Sequence, residues 1–127
     1  MTGKIVRIVL ASAIALSLAG AVPAMAKGGV VRTGMCSGTA DWKLKVAPEN
    51  GKLQVEYEVD SNKVGQTWRV RIFHDGARIF AGHRITKAPS GSFTVRLLAA
   101  NHAGRDAFRA RAVNLANSQV CGGAVSI

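Results

Sequence analysis

The sequence predicts an all-β domain, a seven-stranded sandwich of two sheets with one disulfide. Three observations lead there. After residue 26, apolar and polar residues alternate in run after run, and no stretch of ten residues repeats at the helical period. Clusters of Gly, Pro, Asn and Asp interrupt these runs about every 8–12 residues, the spacing of sandwich strands. Two cysteines, Cys36 and Cys121, stand near the two ends of the same region.

Residues 1–26 read as a signal peptide. Lys4 and Arg7 form a basic start, residues 8–19 are apolar and uncharged, and Ala24-Met25-Ala26 is an A-x-A signal for cleavage after Ala26. An uncleaved anchor is the alternative, but the apolar run is short of the about 20 residues a membrane helix needs. The first cysteine is Cys36, so no lipid-attachment cysteine lies at the cleavage point. The expectation is one domain, 27–127, secreted and extracellular, with no membrane span in the mature chain. Two cysteines in an exported chain most simply form one bond, Cys36–Cys121.

The elements follow in order. Residues 27–38 are glycine-rich and read as a lead-in tied down at Cys36. Residues 40–47 (ADWKLKVA) send Trp42, Leu44 and Val46 inward. Pro48-Glu49-Asn50-Gly51 is a turn by composition. Residues 52–60 (KLQVEYEVD) alternate again, with Leu53, Val55, Tyr57 and Val59 inward, which places Lys43 near Glu56. Residues 61–66 form a polar loop. Residues 67–74 and 77–85 flank Asp75-Gly76, and Asp-Gly between alternating runs is a strong hairpin signal. Pairing His74 with Ala77 sets the register. Ile79, Ala81, His83 and Ile85 then share the inward face of Trp68, Val70 and Ile72. Arg78, Phe80, Gly82 and Arg84 share the outward face of Arg69, Arg71 and Phe73. Residues 92–98 (SFTVRLL) and 107–114 (AFRARAVN) are strands around a corner loop at 99–106. Residues 120–127 close the chain.

The pattern W-x-V-x-I-x-x-D-G at Trp68 to Gly76 resembles the third strand and following turn of immunoglobulin-like and fibronectin type III-like sandwiches. N-x-x-G-x-D-x-F-x-x-x-A, from Asn101 to Ala112, resembles their corner before the sixth strand, with Phe108 where many such domains carry tyrosine. The order C-S-G-x-A-x-W-K-L-K, a Trp-led hairpin and a late C-x-G is also similar to small secreted actinobacterial proteins of unassigned function. The resemblance implies an immunoglobulin-like sandwich: the first, second and fifth strands in one sheet, the third, sixth and seventh in the other, and the fourth beside the third. The disulfide departs from antibody domains, where it joins the second and sixth strands.

Charge then separates the two sheets. The chain carries 17 Lys and Arg against 7 Asp and Glu, net +10, which becomes +8 without Lys4 and Arg7. Residues 27–66 balance at +1 and residues 67–127 at +7. The second sheet's outward face is expected to gather Arg69, Arg71, Phe73, Arg78, Phe80, Arg84, Arg109 and Arg111, with no acid on that parity. Guanidinium forks bind phosphate, sulfate and carboxylate, and phenylalanine beside them stacks a base or a sugar ring. The alternative is a solvated face whose arginines shield the phenylalanines.

Catalytic residues are not expected. There is no G-x-S-x-G elbow for a serine hydrolase, and Glu56 and Glu58 point to solvent beside lysines. The segment GGVVRTG lacks the lysine of a phosphate loop. His74 and His83 have no cysteine or carboxylate at metal-ligand spacing, and His102, with Asp106 four residues later and Ser90 and Ser92 in the preceding loop and strand, reads as an ordinary loop histidine, so neither metal nor cofactor is expected. The expected function is a non-catalytic module that docks its arginine face on a polyanion: wall polymer, acidic polysaccharide or extracellular nucleic acid. The alternative is a secreted adaptor or enzyme inhibitor that binds a protein through end loops.

Overall fold

The computed structural model describes residues 27–127, so the expected signal peptide, with its cleavage after Ala26, lies outside the described residues. Eight strands form: β1 (Val30–Met35), β2 (Asp41–Glu49), β3 (Lys52–Asp60), β4 (Thr67–His74), β5 (Ala77–Ile85), β6 (Ser92–Ala99), β7 (Ala107–Asn114) and β8 (Val120–Ser126). They make two antiparallel sheets, ordered β1-β2-β3-β6 and β5-β4-β7-β8. The sheet partition is the one expected, but the strand count is not. Residues 27–38, read as a lead-in, contain β1, which pairs with β2 from Val30↔Val46 to Met35↔Asp41. Most of its side chains are exposed. It is an edge strand held by the backbone groups that β2 offers, and so lacks the burial alternation of the others.

Two hairpins set the registers. Glu49 pairs with Lys52 around Asn50-Gly51, and His74 pairs with Ala77 around Asp75-Gly76. All four turn residues have positive φ (49°, 81°, 48° and 86°), the type I′ geometry whose twist matches that of the flanking strands. Because the first turn holds two residues, Lys43 stands opposite Glu58 and Lys45 opposite Glu56, one rung from the expected pairing. Arg96 on β6 closes on Glu56 at 3.0 Å, so the outer face of this sheet is electrically mixed.

The inner faces meet in one core. Leu44, Val46, Leu53, Val55 and Tyr57 are fully buried, as are Trp68, Val70, Ile72 and Ala112 of the other sheet. Each large side chain contributes about 1.5–3 kcal/mol by leaving water. Burial pushes the Tyr57 phenol up, and its hydroxyl donates to the Cys121 carbonyl at 2.8 Å, joining β3 to β8. The disulfide Cys36–Cys121 closes the same side of the sandwich.

Trp42 occupies a slot made by two glycines. It pairs with Gly34 on β1, and its indole covers Gly123 on β8; a Cβ at either position would overlap the ring. Gly123→Ala is therefore expected to destabilise the domain by about 1–3 kcal/mol through overpacking. Gly122→Ala is the control, since its Cβ meets only the Ala110 carbonyl at 4.0 Å. Denaturant midpoints of the two variants test this, and equal shifts would dismiss the slot.

Candidate functional site

The arginine face is built by register. Arg71 of β4 lies directly opposite Arg111 of β7, Phe73 opposite Arg109, and Arg69 opposite Val113. On the other flank of β4, Arg78 of β5 lies opposite Phe73. Arg69, Arg71, Arg109 and Arg111 are exposed because the alternating residues Val70, Ile72, Ala110 and Ala112 fill the core. Among the described residues, no carboxylate oxygen lies within 4.0 Å of these four guanidiniums or of Arg78. The Arg109 guanidinium sits 5.0 Å from the Phe73 ring centre. The small residues Gly122 and Ala124 of β8 leave a shallow groove of about 430 Å³ beside Phe73, Arg109 and Arg111.

Phe80 and Arg84 do not belong to this face. The register slips between Ile72 and Phe73, so that Ile72 pairs with Phe80, Phe73 with Arg78, and Ile79 has no partner. This β-bulge lets Ile79 and Phe80 both pack against the core. Beyond it every parity is inverted. Arg84 stands opposite Trp68, with its guanidinium 4.9 Å from the Phe80 ring centre, and covers the inner edge of β5. His83 moves the other way. Expected inside and opposite Trp68, it is exposed and faces Arg69.

A second constellation lies at the end of the sandwich, where β4 turns into β5 and the β6–β7 loop comes back. His74 pairs with Phe108 across β4 and β7, and the Ala107 N–H donates to Asp75 Oδ1 at 2.8 Å. Asp106 and His102 are thereby brought over the hairpin turn. His74 Nε2 donates to Asp106 Oδ1 at 2.6 Å, and His102 Nδ1 to Asp75 Oδ2 at 2.7 Å. Crosswise, His102 Nδ1 lies 3.1 Å from Asp106 Oδ1, and His74 Nε2 lies 3.5 Å from Asp75 Oδ2. Lys27 pairs with the other oxygen of Asp106 and donates to the His102 carbonyl at 2.9 Å. The His74 ring is sandwiched between Phe108 and His102, with centroids 4.3 and 4.5 Å away.

The electrostatics follow from these partners. Burial by itself pushes the Asp106 carboxyl up, but Lys27, His74 and the His102 N–H outweigh it and hold it at about 2. Asp75 is lowered by the Ala107 N–H first and by His102 second. Both are carboxylates across the ordinary pH range.

Spacing along the chain singles out His102 with Asp106 four residues on, but not their meeting with His74 and Asp75. His74 and Asp106 are 32 residues apart and meet only through the β4–β7 register. The available signal was the sheet partition itself, since pairing the third predicted strand with the sixth sets the Asp-Gly turn against the N-x-x-G-x-D corner.

No protein-family model and no curated protein matches this chain. Fold and surface therefore define the class: a disulfide-closed eight-stranded β-sandwich, one sheet of which presents arginines without acidic partners. Among the described residues, no helix is long and apolar enough to cross a membrane.

Proposed function

We propose that the protein is an exported, non-catalytic binding module that docks the outer face of β4, β7 and β5 on an anionic polymer of the cell surface or wall. The observation that carries this reading is Arg71 directly opposite Arg111, with no carboxylate among the described residues within 4.0 Å of either. Like charges on facing strand positions destabilise a sheet. A bound polyanion relieves that repulsion, and the uncharged floor beside Phe73 leaves room for a ring to stack. The disulfide suits an oxidising compartment outside the cytoplasm. The resemblance to small secreted proteins points the same way.

Retention on heparin or phosphocellulose tests it. Five guanidinium contacts with a flexible single-stranded polyanion give a log–log salt slope of about −3 to −4. A slope near zero overturns the docking reading, and salt-independent capture of a secreted hydrolase would favour the adaptor alternative.

A further inference from the structure

We propose that His74, Asp75, His102 and Asp106 form a binding site for one divalent transition-metal ion of the Zn²⁺ type. The arginine face does not include this group, which sits at the hairpin end of the sandwich. Its four ligand atoms, two imidazole nitrogens and two carboxylate oxygens, lie within 4.8 Å of one another. Two imidazoles and two monodentate carboxylates are a four-ligand set that Zn²⁺ accepts, and the two carboxylates supply two negative charges, one of them shared with Lys27.

Each carboxylate is aimed by a partner on its far oxygen. Asp75 Oδ1 is engaged by the Ala107 N–H, which leaves Oδ2 turned into the cluster. Asp106 Oδ2 is engaged by Lys27, which leaves Oδ1 turned into the cluster. One oxygen of each is held from outside and the other faces the cluster, where Asp106 Oδ1 also accepts the His102 N–H at 3.3 Å; holding a ligand's far oxygen is the role outer partners play around bound metals. His74 is 5% exposed and clamped against Phe108, so its Nε2 is fixed. Three of the four ligand atoms are thus set by strands or by the loop base.

His102 is the adjustable one. Its ring is parallel to His74 within 7°. A metal takes the lone pair in the plane of each ring, so the stacked pair is the metal-free arrangement. His102 is 49% exposed on the β6–β7 loop, and its Nδ1 already lies 2.7 Å from Asp75 Oδ2 and 3.1 Å from Asp106 Oδ1, so the ring has only to tilt out of the stack. Without the ion, each cluster-facing ring nitrogen shares a proton with a carboxylate, and binding moves that proton to the ring's other nitrogen or to solvent.

Calorimetric titration of the purified, chelator-treated protein with Zn²⁺ tests the site, with Ca²⁺ as comparator. One equivalent of Zn²⁺ binds, the melting temperature rises, and Ca²⁺ does not compete, because imidazole suits Zn²⁺ and Ca²⁺ takes oxygen ligands. His102→Ala, a half-exposed loop change with little structural consequence, weakens Zn²⁺ binding by more than the about 10–100-fold that losing an outer partner costs. Asp75→Asn does the same. His83→Ala, which alters the exposed histidine of β5, leaves binding unchanged. Absence of Zn²⁺ binding to the wild type overturns the proposal. So does binding that survives both His102→Ala and Asp75→Asn, binding lost in His83→Ala, or Ca²⁺ competing as an equal.

Discussion

Replacing both Cys36 and Cys121 with alanine is expected to cost about 3–5 kcal/mol of stability. The bond spans 85 positions, nearly the whole described domain, and the chain-entropy model assigns a loop of that length about 4–5 kcal/mol, of which real bridges often deliver less. Domains of this size have about 5–15 kcal/mol in all, so the loss is a large share of the total. The location sharpens the expectation. The bond ties the connection after β1 to β8, so it joins the two sheets along the side where Trp42 fills its slot. Cys121 is fully buried, and its carbonyl accepts the Tyr57 hydroxyl. Replacing both cysteines together leaves no stray thiol. The measurement is the denaturant midpoint, combined with amide exchange in β1. The midpoint falls, and β1, an edge strand with few buried side chains, loses protection first. An unmoved midpoint would mean that backbone pairing and Trp42 hold this side unaided.

The parts of the fold legible in the sequence are those where burial dictates alternation. β2, β3, β4, β6 and β7 each present an apolar face to the core, and their residues could be assigned to sides from the chain alone. β1 was illegible for the opposite reason: it gives little to the core and is defined by hydrogen bonds to β2. Strict alternation puts β5 on the opposite face beyond the bulge, since a period of two tolerates no inserted residue. The adjacent apolar pair Ile79-Phe80 was the trace of it, both side chains reaching the core from consecutive positions. Two of the eight residues assigned to the face, Phe80 and Arg84, left it by that one slip. Of the histidine–aspartate group only His102 with Asp106 shows as a spacing; its meeting with His74 and Asp75 does not, because all four stand at strand ends or in loops, where register, not composition, decides what meets.

Changing Arg69, Arg71, Arg109 and Arg111 together to serine is expected to weaken polyanion binding by about 10²–10³-fold at about 0.1 M salt. Each neutralised charge adds about 0.7 to the log–log salt slope on a single-stranded polymer, so four lost contacts flatten the slope by about 3. The same variant is expected to fold. Relief of the Arg71–Arg111 repulsion contributes about 0.2–1 kcal/mol, which offsets the about 0.5–1 kcal/mol lost when Arg109 leaves the Phe73 ring. The net change in stability should stay under about 1 kcal/mol in either direction. Net charge alone predicts a different result, and a matched variant separates the two. Lys43, Lys45, Lys52 and Arg96 lie on the outer face of the first sheet, and changing all four to serine removes the same formal charge. There the cations face Glu58, Glu56, Glu49 and Glu56 across the strands and already have acidic neighbours. Binding should survive in that variant and fail in the first. Equal losses in the two would mean that the polymer responds to overall charge, and that the arginines of β4 and β7 are solvated surface rather than a docking face.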